Sequence, residues 1–126
     1  MLKIDEKTAL LDENCPDVRN SKVIDIIKRL REYDIQAVVC DPVADKEAVE
    51  REYGISLTAF EEIEQRRDAD CIIVAVGHRE YRSLSVMQLK ELFRGGRPDG
   101  EKVLIDVKAL YRIDELKASG MRFWRL

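Results

Sequence analysis

The segment Glu13-Asn14-Cys15-Pro16-Asp17-Val18-Arg19-Asn20-Ser21 carries the side chains best suited to gripping an anion. Arg19 offers a planar guanidinium fork, and Asn20-Ser21 reads as a helix start whose first N–H groups lack partners within the helix. A second polar cluster, Gly77-His78-Arg79-Glu80, adds an imidazole and a cation, and Asp106-Val107-Lys108 adds another cation. Each residue also has an ordinary structural use. Asp17, Asn20 and Ser21 can cap the helix, Arg19 can be solvated, and Lys108 can be a surface lysine. The length and polarity of the first segment as a whole favour ligand binding. Cys15 and His78 are the only pair suggesting nucleophilic chemistry. Asp12, Glu13 and Asp17 crowd Cys15 with negative charge and disfavour its thiolate, so His78 reads as a hydrogen-bond donor to a ligand or a loop carbonyl. Cys15, Cys40 and Cys71 form no C-x-x-C pair and share the chain with a single histidine, so a metal centre is not expected. Cys40 and Cys71 sit within apolar runs, where a reduced cysteine packs as a small hydrophobe.

The elements that must position these groups alternate. Apolar runs at residues 8–11, 36–40, 71–76, 103–107 and 121–126 predict strands, with a further short edge strand open at residues 55–57. The runs at 71–76 and 103–107 are nearly continuous in Val and Ile, the pattern of strands buried on both faces of a parallel sheet. Between them, residues 21–33 place Val23, Ile26, Ile27 and Leu30 on one helical face. Residues 45–53 predict a helix closed by Gly54. Thr58 with Glu61, and Ser85 with Gln88, read as capping boxes that start two further helices, the second running to Gly95-Gly96. Arg97-Pro98-Asp99-Gly100 reads as a turn, residues 113–119 as a short helix closed by Gly120, and Trp124 as packing at the edge of the last strand. Strand–helix alternation with right-handed crossovers predicts a Rossmann-like three-layer α/β/α sandwich around a mostly parallel sheet of five to six strands.

Composition narrows the function. The 126 residues are 45% hydrophobic and 37% charged, which suits one domain spanning 1–126. A net charge of −3 argues against nucleic-acid binding, which needs a cationic surface. No stretch approaches the roughly 18–20 apolar residues of a membrane span, and the start lacks the apolar run of a signal peptide, so a cytoplasmic setting with no membrane partner is expected. In open α/β sheets ligands bind beyond the carboxyl ends of the strands, where the segments after residues 11, 40, 76 and 107 lie. The first of these, residues 12–21, contains no glycine, so the usual approach of a dinucleotide pyrophosphate is blocked and no NAD or FAD is expected on this chain. A phosphorelay receiver is excluded because Ala75-Val76-Gly77 stands where its phosphoacceptor aspartate belongs.

The string from Glu13 to Val23 resembles the signature of the UDP-binding domain of the UDP-glucose/GDP-mannose dehydrogenase family, closest in wording to the UDP-N-acetylhexosamine 6-dehydrogenases. Cys40-Asp41-Pro42, Ala75-Val76-Gly77-His78-Arg79-Glu80-Tyr81, Leu104-Ile105-Asp106-Val107-Lys108 and Phe123-Trp124-Arg125-Leu126 extend the resemblance over roughly residues 9–126. It implies an enzyme in which separate parts bind NAD, form a dimer and close over UDP, and which oxidises a sugar C6 alcohol to a carboxylate for polysaccharide synthesis. NAD would serve the complete enzyme and this chain would bind no cofactor. The family's catalytic cysteine and lysine belong to parts this chain lacks, so no catalytic residue is expected here. By the same resemblance Asn14, Asp17, Arg19, Asn20, His78, Arg79 and Lys108 contact the UDP-sugar, and the partners are the missing dehydrogenase domains or a second copy. The family's aromatic–lysine pair before Glu-Asn is Leu11-Asp12 here, which turns attraction for a diphosphate into repulsion. A degenerate interaction module that keeps the fold without the ligand is the alternative.

Overall fold

A computed structural model describes residues 7–11, 22–41, 45–75 and 84–125. Along them run β1 (Lys7–Leu11), α1 (Lys22–Glu32), β2 (Gln36–Cys40), α2 (Lys46–Tyr53), α3 (Phe60–Arg66) and β3 (Cys71–Val74). α4 (Val86–Lys90), a 3-10 turn at Asp99–Glu101, β4 (Val103–Asp106), α5 (Ile113–Ala118) and β5 (Arg122–Arg125) complete the order. The strands lie side by side as β2-β1-β3-β4-β5, with every neighbouring pair parallel. The architecture is mixed α/β around a parallel sheet.

β3 is the middle strand, and all of Cys71, Ile72, Ile73 and Val74 are buried. Successive strand side chains face opposite ways, so apolar layers must cover both faces of β3. Its continuous apolar run is the sequence consequence. Ile24 and Ile27 of α1, Val49 of α2, Ile63 of α3, Val86 and Leu89 of α4, and Leu116 of α5 enter the same core. Cys40 and Cys71 are buried without a disulfide, in the packing role expected of them.

Local chemistry sets most helix ends. The Asp45 carboxylate accepts from the Glu47 and Ala48 amides at 2.9 and 3.2 Å and starts α2. Gly54, at φ +64°, closes it. Ser85 and Gln88 form the reciprocal capping box expected for α4. α1 ends differently: Ile35 N donates to Leu30 O and Asp34 N to Arg31 O, both at 3.0 Å, with Asp34 at φ +58°. This is a Schellman closure carrying a Cβ where glycine is preferred. Asp34→Gly is therefore expected to stabilise the fold by about 0.5–1 kcal/mol, the Cβ strain relieved less the entropy glycine adds to the unfolded chain. A thermal melt should show a midpoint raised by about 2–4 °C. A lowered midpoint would show that the Asp34 side chain makes a stabilising contact.

Several expectations need correction. Thr58 does not cap α3: the cap residue is Ala59, which makes no side-chain cap bond. Thr58 N instead donates to Val39 O at 2.7 Å, extending the Val39–Leu57 bridge along β2 and moving the helix start one residue on. That isolated bridge is what forms in place of the edge strand open at residues 55–57. α4 stops at Lys90, short of Gly95-Gly96, because the following chain is drawn into a bridge between Ala69 and Phe93. Ala69 N donates to Leu92 O and Arg94 N to Ala69 O, bonds incompatible with further helix. The turn expected at residues 97–100 is the 3-10 turn at Asp99–Glu101. Trp124 lies on edge strand β5, on the face opposite Phe123, and is 54% exposed, so the edge covers its ring only in part.

Candidate functional site

Register aligns the carboxyl ends of the strands. Leu11 pairs with Cys40 of β2 and with Val74 of β3, Val74 pairs with Asp106 of β4, and Asp106 with Arg125 of β5. From β1 the chain moves outward to β2, and its next strand, β3, lies on the other side of β1. The order reverses between β1 and β3, and beyond such a switch point α/β sheets open a crevice. The segments after Leu11 and after Ala75 leave from these two adjacent strands, and Lys108 follows β4 one strand further on. Strands spaced about 4.8 Å apart bring all three origins within about 10 Å.

Asn14, Asp17, Arg19, Asn20, His78 and Arg79 lie outside the described residues, as do Asp12, Cys15 and Gly77. Lys108 is exposed in the turn after β4. At the end of β2, Asp41 is buried.

The turn that carries Lys108 is unusually well tied. Asp106 is fully buried, and its two carboxylate oxygens accept from Leu110 N at 3.0 Å and Tyr111 N at 2.9 Å. Val107 N donates back to Val74 O at 2.9 Å, and Ala109 N to Asp106 O at 3.4 Å. Ala109 takes the left-handed conformation at φ +53°. The Tyr111 hydroxyl is pushed far above its ordinary range by burial and, secondarily, by the Asp106 charge, so it stays protonated. Asp106 entered the expectations only as the neighbour of Lys108. Its signal was there: a lone carboxylate closing an otherwise apolar strand just before a turn.

The other charged clusters serve the opposite edge of the sheet. Asp70, just before β3, is buried and accepts from Arg94 Nε and Nη2 at 3.1 Å each and from Arg97 Nη2 at 2.7 Å. Before β4, Asp99 pairs with Lys90 at 2.6 Å and Lys102 at 2.8 Å. Its carboxyl is held below the usual range by the hydrogen bond from Lys102, then that from Lys90. Both networks precede their strands, so they brace the amino-end edge of the sheet. A cavity of about 620 Å³ flanks edge strand β2 between Ile27, Val38 and Ser56. It lies on the side away from β3, and its cations are engaged: Arg31 donates to Gly54 O and Arg66 pairs with Glu62. Among the described residues no group of His, Cys, Asp and Glu could hold a metal ion, and no helix is long and apolar enough to cross a membrane.

Comparison with known proteins decides the family. Residues 12–113 match the model of the UDP-glucose/GDP-mannose dehydrogenase family, UDP binding domain. The chain belongs to this family. The UDP-N-acetyl-D-glucosamine 6-dehydrogenase of Pseudomonas aeruginosa is 39% identical over 106 residues, 84% of this chain and 23% of that protein. The enzyme of the same name from Salmonella typhi is 41% identical over 96 residues, 76% of the chain and 21% of its own length. Protein CapL of Staphylococcus aureus is 35% identical over 114 residues, 90% of the chain and 24% of its own length. The chain thus spans about a quarter of the length of these relatives. The stretch matched to the UDP binding domain begins where β1 ends and includes every segment leaving the switch point.

Proposed function

We propose that these residues form the UDP-sugar-binding part of an NAD-dependent nucleotide-sugar 6-dehydrogenase. The observation that supports this reading is that the family-matched stretch includes the chain leaving β1, β3 and β4, adjacent strands at one switch point of the parallel sheet. In this reading Arg19, Arg79 and Lys108 face the diphosphate. Asn14, Asp17, Asn20 and His78 hydrogen-bond the nucleotide or the sugar. A three-layer α/β/α sandwich supports the crevice, in keeping with the burial of both faces of β3. NAD, where it is bound, accepts the hydrides in the two oxidations that take a C6 alcohol to a carboxylate. The glycine-free connection between β1 and α1 does not suit that cofactor, so the hydride chemistry belongs to other parts of the enzyme and this chain alone turns nothing over.

Calorimetric titration of the chain with UDP, and with CDP and ADP as controls, tests the reading. Saturable binding selective for UDP is expected. No heat at millimolar UDP leaves only the family fold. One observation favours a second reading, a non-catalytic interaction module: Asp12 places a negative charge directly after β1, at the switch point. Under it the chain would ignore UDP and be found as a stable dimer on sedimentation.

A further inference from the structure

A carboxylate with no exposed surface, at the end of the otherwise apolar run Val103-Leu104-Ile105, contributes nothing to apolar packing and is costly to bury unless its oxygens are satisfied. Both oxygens of Asp106 are satisfied by backbone N–H groups of the chain just beyond it. The bonded amides, at Val107, Ala109, Leu110 and Tyr111, bracket Lys108 on both sides. The side chain they leave projecting from the turn is that of Lys108, which is exposed at the carboxyl edge of the sheet.

From this we infer that Asp106 is a positioning residue for Lys108, holding the 107–111 turn in the one conformation that presents the ammonium group to a bound nucleotide diphosphate. The inference rests on the proposed role of Lys108 in UDP binding. Its physical basis is preorganisation. A lysine on a loose turn loses backbone freedom as it engages a phosphate, whereas one on a turn already tied has lost it in folding. Ala109 adds to the argument, because an alanine held at φ +53° is strained and persists only where the surrounding bonds require it.

A double-mutant cycle on the full chain, read by UDP calorimetry, tests the inference. Asp106→Asn keeps the shape but replaces one acceptor oxygen with an NH2 group, which cannot receive the second amide. Ala109→Pro breaks the same turn without touching the buried carboxylate, since proline requires φ near −65°. Each is made in the parent chain and in Lys108→Ala, with a thermal melt to establish folding. Lys108→Ala is expected to weaken UDP about tenfold, and either turn variant to weaken it about as much. Neither should weaken it further once Lys108 is gone. A purely structural carboxylate would instead give the same loss in both backgrounds, and that additivity overturns the inference while leaving the UDP site intact. If Lys108→Ala itself leaves UDP affinity unchanged, the assigned role of Lys108 fails, and the positioning role with it. Should Asp106→Asn not fold, the Ala109→Pro arm of the cycle decides alone.

Discussion

Leu104→Ala is expected to destabilise the chain by about 3–5 kcal/mol, the upper range for a buried leucine whose surroundings cannot collapse. Leu104 is fully buried in β4, in register with Ile72 of β3 on one side and Phe123 of β5 on the other. Backbone hydrogen bonds to both neighbouring strands hold the walls of the new cavity apart, so little of its volume can be recovered by relaxation. Set against a total stability of about 5–15 kcal/mol, the change removes a large fraction of the whole. Urea unfolding should show a midpoint shifted sharply down with the slope little changed, and a melt should fall by about 10–15 °C. A loss below about 1 kcal/mol, less than typical leucine truncations cost, would mean that β4 is not interior to the sheet. The turn carrying Lys108 would then have no rigid base.

The second large effect concerns Asp12, which follows the last residue of β1 at the switch point. Asp12→Lys exchanges a like charge for an opposite one beside the expected diphosphate. At a partly exposed site the interaction is worth about 1–4 kcal/mol, or roughly five-fold to several-hundred-fold in affinity. The gain should appear in a UDP titration at low salt and shrink as ionic strength rises, because exposed charges are screened over about 10 Å at 0.1 M. An affinity for UDP unchanged by the substitution would show that position 12 does not face the phosphates. A gain that persists undiminished at high salt would show that it acts by some means other than charge.

Much of this fold is legible along the chain because its signals are local. The run Cys71-Ile72-Ile73-Val74 is apolar throughout because β3 is covered on both faces, and the strand appears where that run predicts it. Asp45, Ser85 and Gln88 accept from backbone amides, and Gly54 donates its own N–H to Glu50 O, all within four residues, so reading these helix ends needs no knowledge of the rest of the molecule. The expectations that failed involve distant partners. Thr58 gives up its cap because Val39 offers a carbonyl, and α4 ends early because Ala69 exchanges two hydrogen bonds with the chain that would have continued it. A capping motif in the sequence cannot reveal that competition.

The candidate site divides in the same way. The residue types able to hold a phosphate, and the absence of glycine from the connection after β1, can be read from Arg19, Arg79, Lys108 and residues 12–21. The sequence by itself determined the alternation of strands and helices, the buried core and the family, because periodicity, caps and motif strings are properties of neighbouring residues. Only the tertiary structure decided that β1 and β3 are adjacent, and hence which strand ends flank the switch point. It alone showed that Asp106 turns inward to tie the chain beyond it, while Asp70 and Asp99 pair with cations at the other end of the sheet. An aspartate looks the same in each of these places along the chain. Its role is set by which amides or cations the fold brings within about 3 Å of it, the reach of a hydrogen bond.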